Sequence, residues 1–250
     1  MSRPLLEVCV DSLAGVRAAS EGGADRIELC SALDLGGLTP SMGLLREARA
    51  ATDLPIFVML RPRAGDFCFD DEEYRTLRAD LGAFLQEDVQ GVVTGVLDEQ
   101  LSIDVVRTRE LVELAGGLPL TFHRAFDLCP DASRALDALV ACGVTRVLTS
   151  GGAGSASSGA ERIRELVVRA GDDLVVVAGG GVAHDCLPGI LEVTGVGEVH
   201  TSASGSRPRH GRPEPDTWSL APTRPASAEG LRCTDATEVA RCRRLLDAIE

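Results

Sequence analysis

Two short segments of this chain carry residue types that commonly do chemistry in proteins. Each has a glutamate and a cysteine separated by one residue, in Glu7-Val-Cys9 and Glu28-Leu-Cys30. Both lie in aliphatic runs that are typical of strands. Since alternate side chains of a strand share a face, each glutamate points the same way as its cysteine. Carboxylates can transfer protons and thiolates bind soft metal ions, so a cavity that holds all four could do either.

Later strand-like segments add further groups to the same cavity by the same alternation. On this basis we expect Met59, Arg61, His123, His200 and Ser202 to point inward as well. Because unpaired buried charges are costly, we predict that Arg61 pairs with Glu7 or Glu28. The candidate catalytic residues are Glu7, Glu28, Arg61 and His123. Of these, the two glutamates and His123 are the candidates for acid–base work. A structural network of ion pairs is the alternative interpretation.

The two cysteines suggest a metal site. Neighbouring parallel strands lie about 4.8 Å apart, so inward thiolates of Cys9 and Cys30 at one level could bridge a soft ion such as Cu(I). Met59 on the following strand could add a thioether. The alternative is that these cysteines only pack, as small buried hydrophobes. The other six cysteines form no Cys-x-x-Cys pair, and we expect them to be structural thiols.

Glycines near the end of the chain indicate a possible anion site. Gly180 and Gly181 follow the seventh strand-like run, and Ser202 ends the eighth. In barrels the loops after strands seven and eight often bind phosphate through backbone N–H groups. We therefore predict an anion site at Gly180, Gly181 and Ser202, while tight turns alone would also explain the glycines.

The elements that must position these residues alternate along the whole chain. Eight β-rich runs are each followed by an amphipathic segment, which predicts parallel strands in an α/β fold, a (β/α)8 TIM barrel forming one domain over residues 1–250. The expected helix N-caps are Asp11, Asp70, Asp104 and Asp131. The expected strands are Leu5–Val10, Arg26–Cys30, Ile56–Arg61, Gly91–Leu97, Leu120–Phe126, Arg146–Ser150, Leu174–Ala178 and Glu198–Ser202.

One segment interrupts this alternation. Residues 205–232 are rich in proline, serine, glycine and arginine and follow the eighth strand. We expect a long loop there on the functional face of the barrel. A disordered insertion is the alternative.

Composition excludes several classes of function. The net charge of -13 argues against binding nucleic acid or an anionic membrane, since both need a basic face. All 25 basic residues are arginine, so no lysine is present to form a Schiff base. No apolar run approaches the roughly 20 residues that cross a bilayer, and no signal peptide precedes the first strand. We therefore expect a cytoplasmic protein.

Several long strings of residues occur in this chain in a characteristic order. They include Leu6-Glu-Val-Cys-Val-Asp-Ser12, Gly22-Gly-Ala-Asp-Arg-Ile-Glu-Leu-Cys-Ser31, Gly36-Gly-Leu-Thr-Pro-Ser41, Thr121-Phe-His-Arg-Ala-Phe-Asp127 and Gly179-Gly-Gly-Val182. With these strings the sequence resembles the CutC family, which is named for copper homeostasis, from Leu6 to about Ser204. The resemblance implies a (β/α)8 barrel, a cytosolic setting, a homo-oligomer and Cu(I) binding at Cys9 and Cys30. Ala64, Thr94 and Thr201 depart from the usual family pattern.

Two functional hypotheses follow. The first is a copper-homeostasis protein that binds Cu(I) through Cys9 and Cys30. The second is an enzyme of unknown reaction that acts on a small anionic ligand, perhaps phosphorylated, held at Gly180, Gly181 and Ser202. A barrel without catalysis or metal binding, acting as a scaffold, is the third alternative.

Overall fold

The computed structural model describes residues 3–207 and 231–249. Eight parallel strands pair in chain order, and the eighth closes onto the first, so the predicted (β/α)8 barrel is confirmed. The strands of the barrel are β1 Leu5–Val10, β2 Arg26–Leu29, β3 Ile56–Met59, β4 Gly91–Thr94, β5 Leu120–Phe122, β6 Arg146–Thr149, β7 Val175–Gly179 and β8 Glu198–Thr201.

Helices follow the strands and cover the outside of the barrel. Within the described ranges, no helix is both long and apolar enough to cross a membrane. The helices are α1 Leu13–Glu21, α2 Met42–Ala51, α3 Asp71–Phe84, α4 Val105–Leu114, α5 Ala132–Cys142, α6 Ala160–Ala170, α7 Leu187–Thr194 and α8 Ala236–Asp247, with short 3-10 helices at Leu33–Leu35 and Arg124–Leu128.

Side-chain caps set where most helices begin. Asp70, Asp104 and Asp131 cap α3, α4 and α5 as predicted. The prediction for Asp11 is wrong, because Ser12 caps α1 by accepting a hydrogen bond from the N–H of Gly15. Asp11 instead accepts from the N–H of Leu33 and so ties down the loop after β2.

Several strands stop earlier at their carboxyl ends than predicted, and β5 shows why. It ends at Phe122, and the next residue, His123, begins a 3-10 helix. The ring Nδ1 of His123 accepts a hydrogen bond from the N–H of Ala125 at 3.2 Å. A local bond of this kind competes with the strand ladder, so the chain turns before Ala125.

The segment predicted as a loop over 205–232 starts and ends in strands. β9, Ser204–Arg207, pairs antiparallel with β10, Leu231–Thr234. At those two ends the loop prediction is therefore wrong, because the backbone forms a two-stranded ribbon directly after β8. The remainder of the predicted loop, residues 208–230, lies outside the described residues.

The strands separate an apolar shell from a mixed interior. Leu6, Val8 and Val10 are fully buried in the cluster that also contains helix residues such as Val239 of α8. The predicted parity of β1 is therefore confirmed, since Glu7 and Cys9 must face the other way. A smaller apolar cluster inside the barrel is formed by Cys30, Phe57, Met59 and Val93.

Candidate functional site

Ion pairs occupy the barrel interior around Glu7. In the register of the sheet Glu7 is opposite Arg26 on β2 and His200 on β8. The Nε of Arg26 donates to Glu7 at 2.5 Å, and its Nη2 donates to Glu198 at 2.8 Å. Arg146 on β6 also donates to Glu198, at 2.8 Å. These groups lie in the interior, where each charge has a partner of opposite sign.

Arg61 does not take part in that network, and the predicted pairing with Glu7 or Glu28 is wrong. Its Nη1 donates to the carbonyls of Leu35 and Gly37 at 2.9 and 3.0 Å, and its Nη2 to that of Gly65 at 3.0 Å. The guanidinium also lies over the ring of Phe67, 4.8 Å from its centroid. Arg26 is opposite Glu7 in the strand register. Arg61 lies beyond the end of β3, and its hydrogen bonds connect the loop after β2 with the loop after β3 at the barrel mouth.

One three-residue cluster could hold a metal ion. The ligand atoms of Cys9, Glu28 and His200 all lie within 4.8 Å of one another. The register explains this, because Cys9 is opposite Glu28, and β8 brings His200 beside β1. The Nδ1 of His200 is 2.7 Å from Glu7 Oε1, which leaves Nε2 for another partner. A carboxylate on one ring nitrogen is the arrangement that orients metal-binding histidines.

The cluster has unusual proton affinities. Burial raises the pKa of Glu28 to about 7, the nearby Glu7 adds to the rise, and His200 and Arg26 oppose it. Burial alone would lower the pKa of His200, but Cys9, Glu28 and the bond to Glu7 raise it well above its usual value. Burial opposes ionisation of Glu7 as well, yet His200 and Arg26 hold its pKa well below its usual range. Near neutral pH the site therefore contains one firm carboxylate, Glu7, and one that readily exchanges a proton, Glu28.

Cys30 points into the interior but is not at the level of Cys9, so the expectation of two thiols at one level is wrong. The strand register places Glu28, and not Cys30, opposite Cys9. The Cys30 thiol is fully buried and donates to the carbonyl of Val10 at 3.4 Å. A Cβ at Gly37 would lie 3.4 Å from Cys30 Sγ and 3.5 Å from Met59 Cε, so both sulfur side chains meet beneath that glycine. Burial, with Glu28 and Cys9 nearby, raises the pKa of Cys30.

His123 occupies another part of the mouth. It is buried, and its ring centroid is 4.8 Å from that of Phe67. Burial, together with the charge of Arg61, lowers the pKa of His123 to about 3, so the ring is neutral. Because Nδ1 accepts from Ala125, Nε2 carries the proton, and that nitrogen is buried without a hydrogen-bond partner among the described residues. The hydroxyl of Thr121, on the preceding strand β5, is also buried and has no partner in the described ranges.

The residues predicted to bind an anion follow two neighbouring strands, β7 and β8. Gly180 and Gly181 directly follow β7, and both have positive φ angles, of 100° and 68°. Ser202 follows β8, but its hydroxyl is 2.8 Å from that of Ser204 and accepts from Arg232 Nη2 at 3.2 Å. Ser202 is therefore engaged with the ribbon of β9 and β10.

Sequence reasoning missed Arg26, Arg146 and Glu198, which complete the interior network. A signal for two of them was present. Arg26 has the same parity as Glu28 on β2, and Glu198 the same parity as His200 on β8. Extending the alternation to the first residue of each strand would have found both.

Fold and site together define a (β/α)8 barrel with a buried thiol, carboxylate and imidazole at its mouth. The CutC family model matches residues 4–205, and the chain belongs to that family. Relatives called family protein CutC come from Photobacterium profundum, 44% identical over 82% of this chain and 84% of that protein, and from Caulobacter vibrioides, 47% identical over the same shares. A CutC crystal structure from Streptococcus agalactiae, whose description proposes copper homeostasis, is 32% identical, covers 80% of this chain and 98% of that one, and has a TM-score of 0.76.

Proposed function

We propose that this protein serves copper homeostasis by binding Cu(I) in the barrel mouth. The observation that carries the proposal is the convergence of Cys9, Glu28 and His200 within 4.8 Å. The description of the Streptococcus agalactiae relative supports the same function. In this proposal copper is the cargo of the protein.

The donor types fit Cu(I) better than a hard ion. Thiolate and imidazole, from Cys9 and His200, are ligands that this soft ion prefers. Glu7 supports the assignment, because it fixes the imidazole through Nδ1 and leaves Nε2 for the metal. Glu28 supplies a nearby negative charge when ionised and is the least suited of the three as a direct ligand.

Cys30 is the second thiolate of the proposal. It directly follows β2, the strand next to that of Cys9, and is two residues beyond Glu28. Met59 packs with it beneath Gly37. In this proposal the Cys30 thiol exchanges its hydrogen bond to the Val10 carbonyl for the metal. The proposal therefore makes Cys9 and His200 the first ligands and Cys30 the sulfur that joins them on binding.

The test is a competition titration of reduced, anaerobic protein against bicinchoninate, a coloured Cu(I) chelator. Wild type should withdraw one copper per chain, and Cys9→Ser should weaken binding at least about tenfold, since a thiolate is exchanged for a poor ligand. Cys68→Ser is the matched control, because that half-buried thiol is also near the mouth but bonds to Asp98. If the Cys9→Ser, Cys30→Ser double variant bound copper like wild type, the proposal would fail.

The Cu(I) affinities of the single variants show which of the two cysteines binds the metal. A loss in Cys9→Ser without a loss in Cys30→Ser would remove Cys30 and leave Cys9 with His200.

The cytoplasmic location and the homo-oligomer implied by the family belong to the same proposal. Fractionation of cells and light scattering on the purified protein test those two points.

A second function, an enzyme acting on a small anionic molecule, is favoured by one specific observation. Within the described residues, the buried polar atoms without a hydrogen-bond partner include Glu28 Oε2, His123 Nε2 and Thr121 Oγ1 in the interior and mouth. Buried polar groups are normally satisfied, so unpaired ones commonly await a ligand. In this function Glu28 is the acid–base group, because its pKa of about 7 suits proton transfer at neutral pH. Glu7 positions His200, His123 donates a hydrogen bond, and Arg61 holds the loops around the substrate.

Turnover of a panel of phosphorylated metabolites, followed by NMR, tests the second function. Glu28→Gln should abolish any conversion that wild type catalyses, because an amide cannot exchange the proton. Conversion that persists in Glu28→Gln would remove this residue from the mechanism. A panel with no conversion at all, in protein that binds Cu(I), would leave copper binding as the function.

A further inference from the structure

A fixed arginine stands at the carboxyl ends of β6 and β7, outside the clusters described above. The Nε of Arg124 donates to Asp127 and its Nη2 donates to Ser150, both at 2.8 Å. Its Nη1 has no acceptor anywhere in the described ranges, and the side chain is 42% exposed. Two of the three guanidinium nitrogens are therefore anchored, which holds the third, Nη1, in a fixed position.

Asp127 does not compete for the free nitrogen. Its carboxylate accepts from Thr149 Oγ1, the Ser150 N–H and hydroxyl, and the Gly152 N–H, in addition to Arg124. Only 8% of this side chain is exposed. Several protein donors thus share the negative charge of the Asp127 carboxylate. The side of the Arg124 guanidinium that faces away from Asp127 therefore remains positive.

Backbone donors lie against this guanidinium. A Cβ placed on Gly180 would be only 3.0 Å from Arg124 Cζ and 3.1 Å from Nη1, so the arginine packs directly on that glycine. In the part of the chain that the structure covers, the N–H groups of Gly180, Gly181 and Val182 have no acceptor. Val182 is buried, and a buried N–H without a partner is rare in folded proteins.

The same place adjoins the Cys9, Glu28 and His200 cluster. A Cβ at Gly179 would lie 3.2 Å from His200 Cβ and 3.5 Å from its Cδ2. Gly179 immediately precedes the three free N–H groups. The proposed anchor therefore lies one residue beyond the glycine that packs on His200.

We propose that Arg124 and the backbone N–H groups of Gly180 and Gly181 bind the phosphate group of a small phosphomonoester. The arginine supplies a charged, fixed donor, and the glycines allow the anion to approach the backbone. Ser202, whose hydroxyl is engaged by Arg232 and Ser204, is not needed for this site. The inference is independent of copper binding, and it deepens the second function by naming the substrate class and its anchor.

Binding of inorganic phosphate to the full chain tests the inference, measured by calorimetry and by NMR shifts of the Gly180 and Gly181 amides. Wild type should bind saturably, although a protein of net charge -13 repels anions in general. Arg124→Gln should weaken binding at least about tenfold, since it removes a charged donor, and Arg124→Lys should retain part of the affinity.

Arg162→Gln is the matched control, because it removes the same charge at a neighbouring place. Arg162 lines a cleft of about 250 Å³ with Asp127, Gly151 and Gly152, whereas neither Gly180 nor Gly181 lines that cleft. This variant should bind phosphate like wild type. Equal losses in both variants, or a loss in Arg162→Gln alone, would overturn the assignment.

The amide shifts keep the inference testable if Arg124→Gln folds poorly. Phosphate that leaves the Gly180 and Gly181 amides of wild type unshifted would also overturn it. Failure of the enzyme proposal has a different signature: phosphate binds and depends on Arg124, but no phosphomonoester is converted. Conversion of a phosphomonoester that is unchanged in Arg124→Gln would support the enzyme proposal and overturn the phosphate site.

Discussion

Glu7 is the most demanding test of the interior network, because two groups bind its carboxylate. The side chain is 1% exposed and accepts from Arg26, itself 5% exposed, on one oxygen and contacts His200 on the other. Glu7→Gln keeps the shape but removes the charge, so Arg26 retains only Glu198 as a carboxylate partner and a protonated His200 loses the carboxylate at its Nδ1. Removing one partner of a buried pair costs about 3–5 kcal/mol. The amide still offers one acceptor oxygen, so we expect a loss of about 3 kcal/mol in unfolding free energy.

The expected pH dependence follows from the depressed pKa of Glu7. A carboxyl group with a lower pKa in the folded state stabilises the fold above its unfolded value of 4.5, and this contribution is lost as pH falls through the folded pKa. The difference between wild type and Glu7→Gln should therefore be present in full near about pH 6 and should narrow progressively as pH falls below 4.5.

Urea unfolding followed by far-UV circular dichroism measures this difference. Glu161→Gln is the control, because Glu161 pairs with Arg164 on the surface, with exposures of 72% and 57%, and its loss should change stability little. A loss below about 1 kcal/mol in Glu7→Gln would refute the reasoning, since it would mean that the pair is hydrated or dispensable. A difference that is already gone at pH 5 would refute the pKa argument alone.

Three further outcomes can be stated together. Glu28→Gln removes the penalty for ionising a buried carboxyl, whose pKa rises from 4.5 to about 7 in the wild type. The free energy of unfolding of the variant should therefore match that of wild type near pH 4 and exceed it by up to about 3 kcal/mol at pH 8. Equal pH profiles of unfolding would contradict this. Gly91→Ala should lower stability by about 1–3 kcal/mol, since the new Cβ would lie 2.6 Å from the Phe57 ring; thermal unfolding should show recovery when Phe57→Leu is added, and no recovery would mean that the clash is not the cause. Arg61→Met removes the donors that hold Gly37 and its loop, so limited proteolysis should cut that loop faster than in wild type, and an unchanged rate would show that Arg61 does not restrain it.

Much of the fold was predictable from local sequence. The alternation of apolar runs with amphipathic segments indicates the barrel. The same pattern predicts helices over Ala132–Cys142 and Ala160–Ala170, which are the bounds of α5 and α6. Strand parity is also local, which is why Glu7, Cys9, Glu28 and His200 were correctly expected inside. The ends of strands were less predictable: the bond from Ala125 to His123 ends β5, and the pattern of hydrophobic residues does not register such contacts.

The sequence by itself thus determined the barrel, the inward faces of its strands and the membership of the chain in its family. Only the tertiary structure decided which inward groups meet. Strand register sets Cys9 against Glu28, and not against Cys30, and it sets Arg26, and not Arg61, against Glu7. Barrel closure then brings His200 to Glu7, 193 positions away in the chain. Alternation is a property of a single strand, whereas register and stagger depend on the packing of all eight.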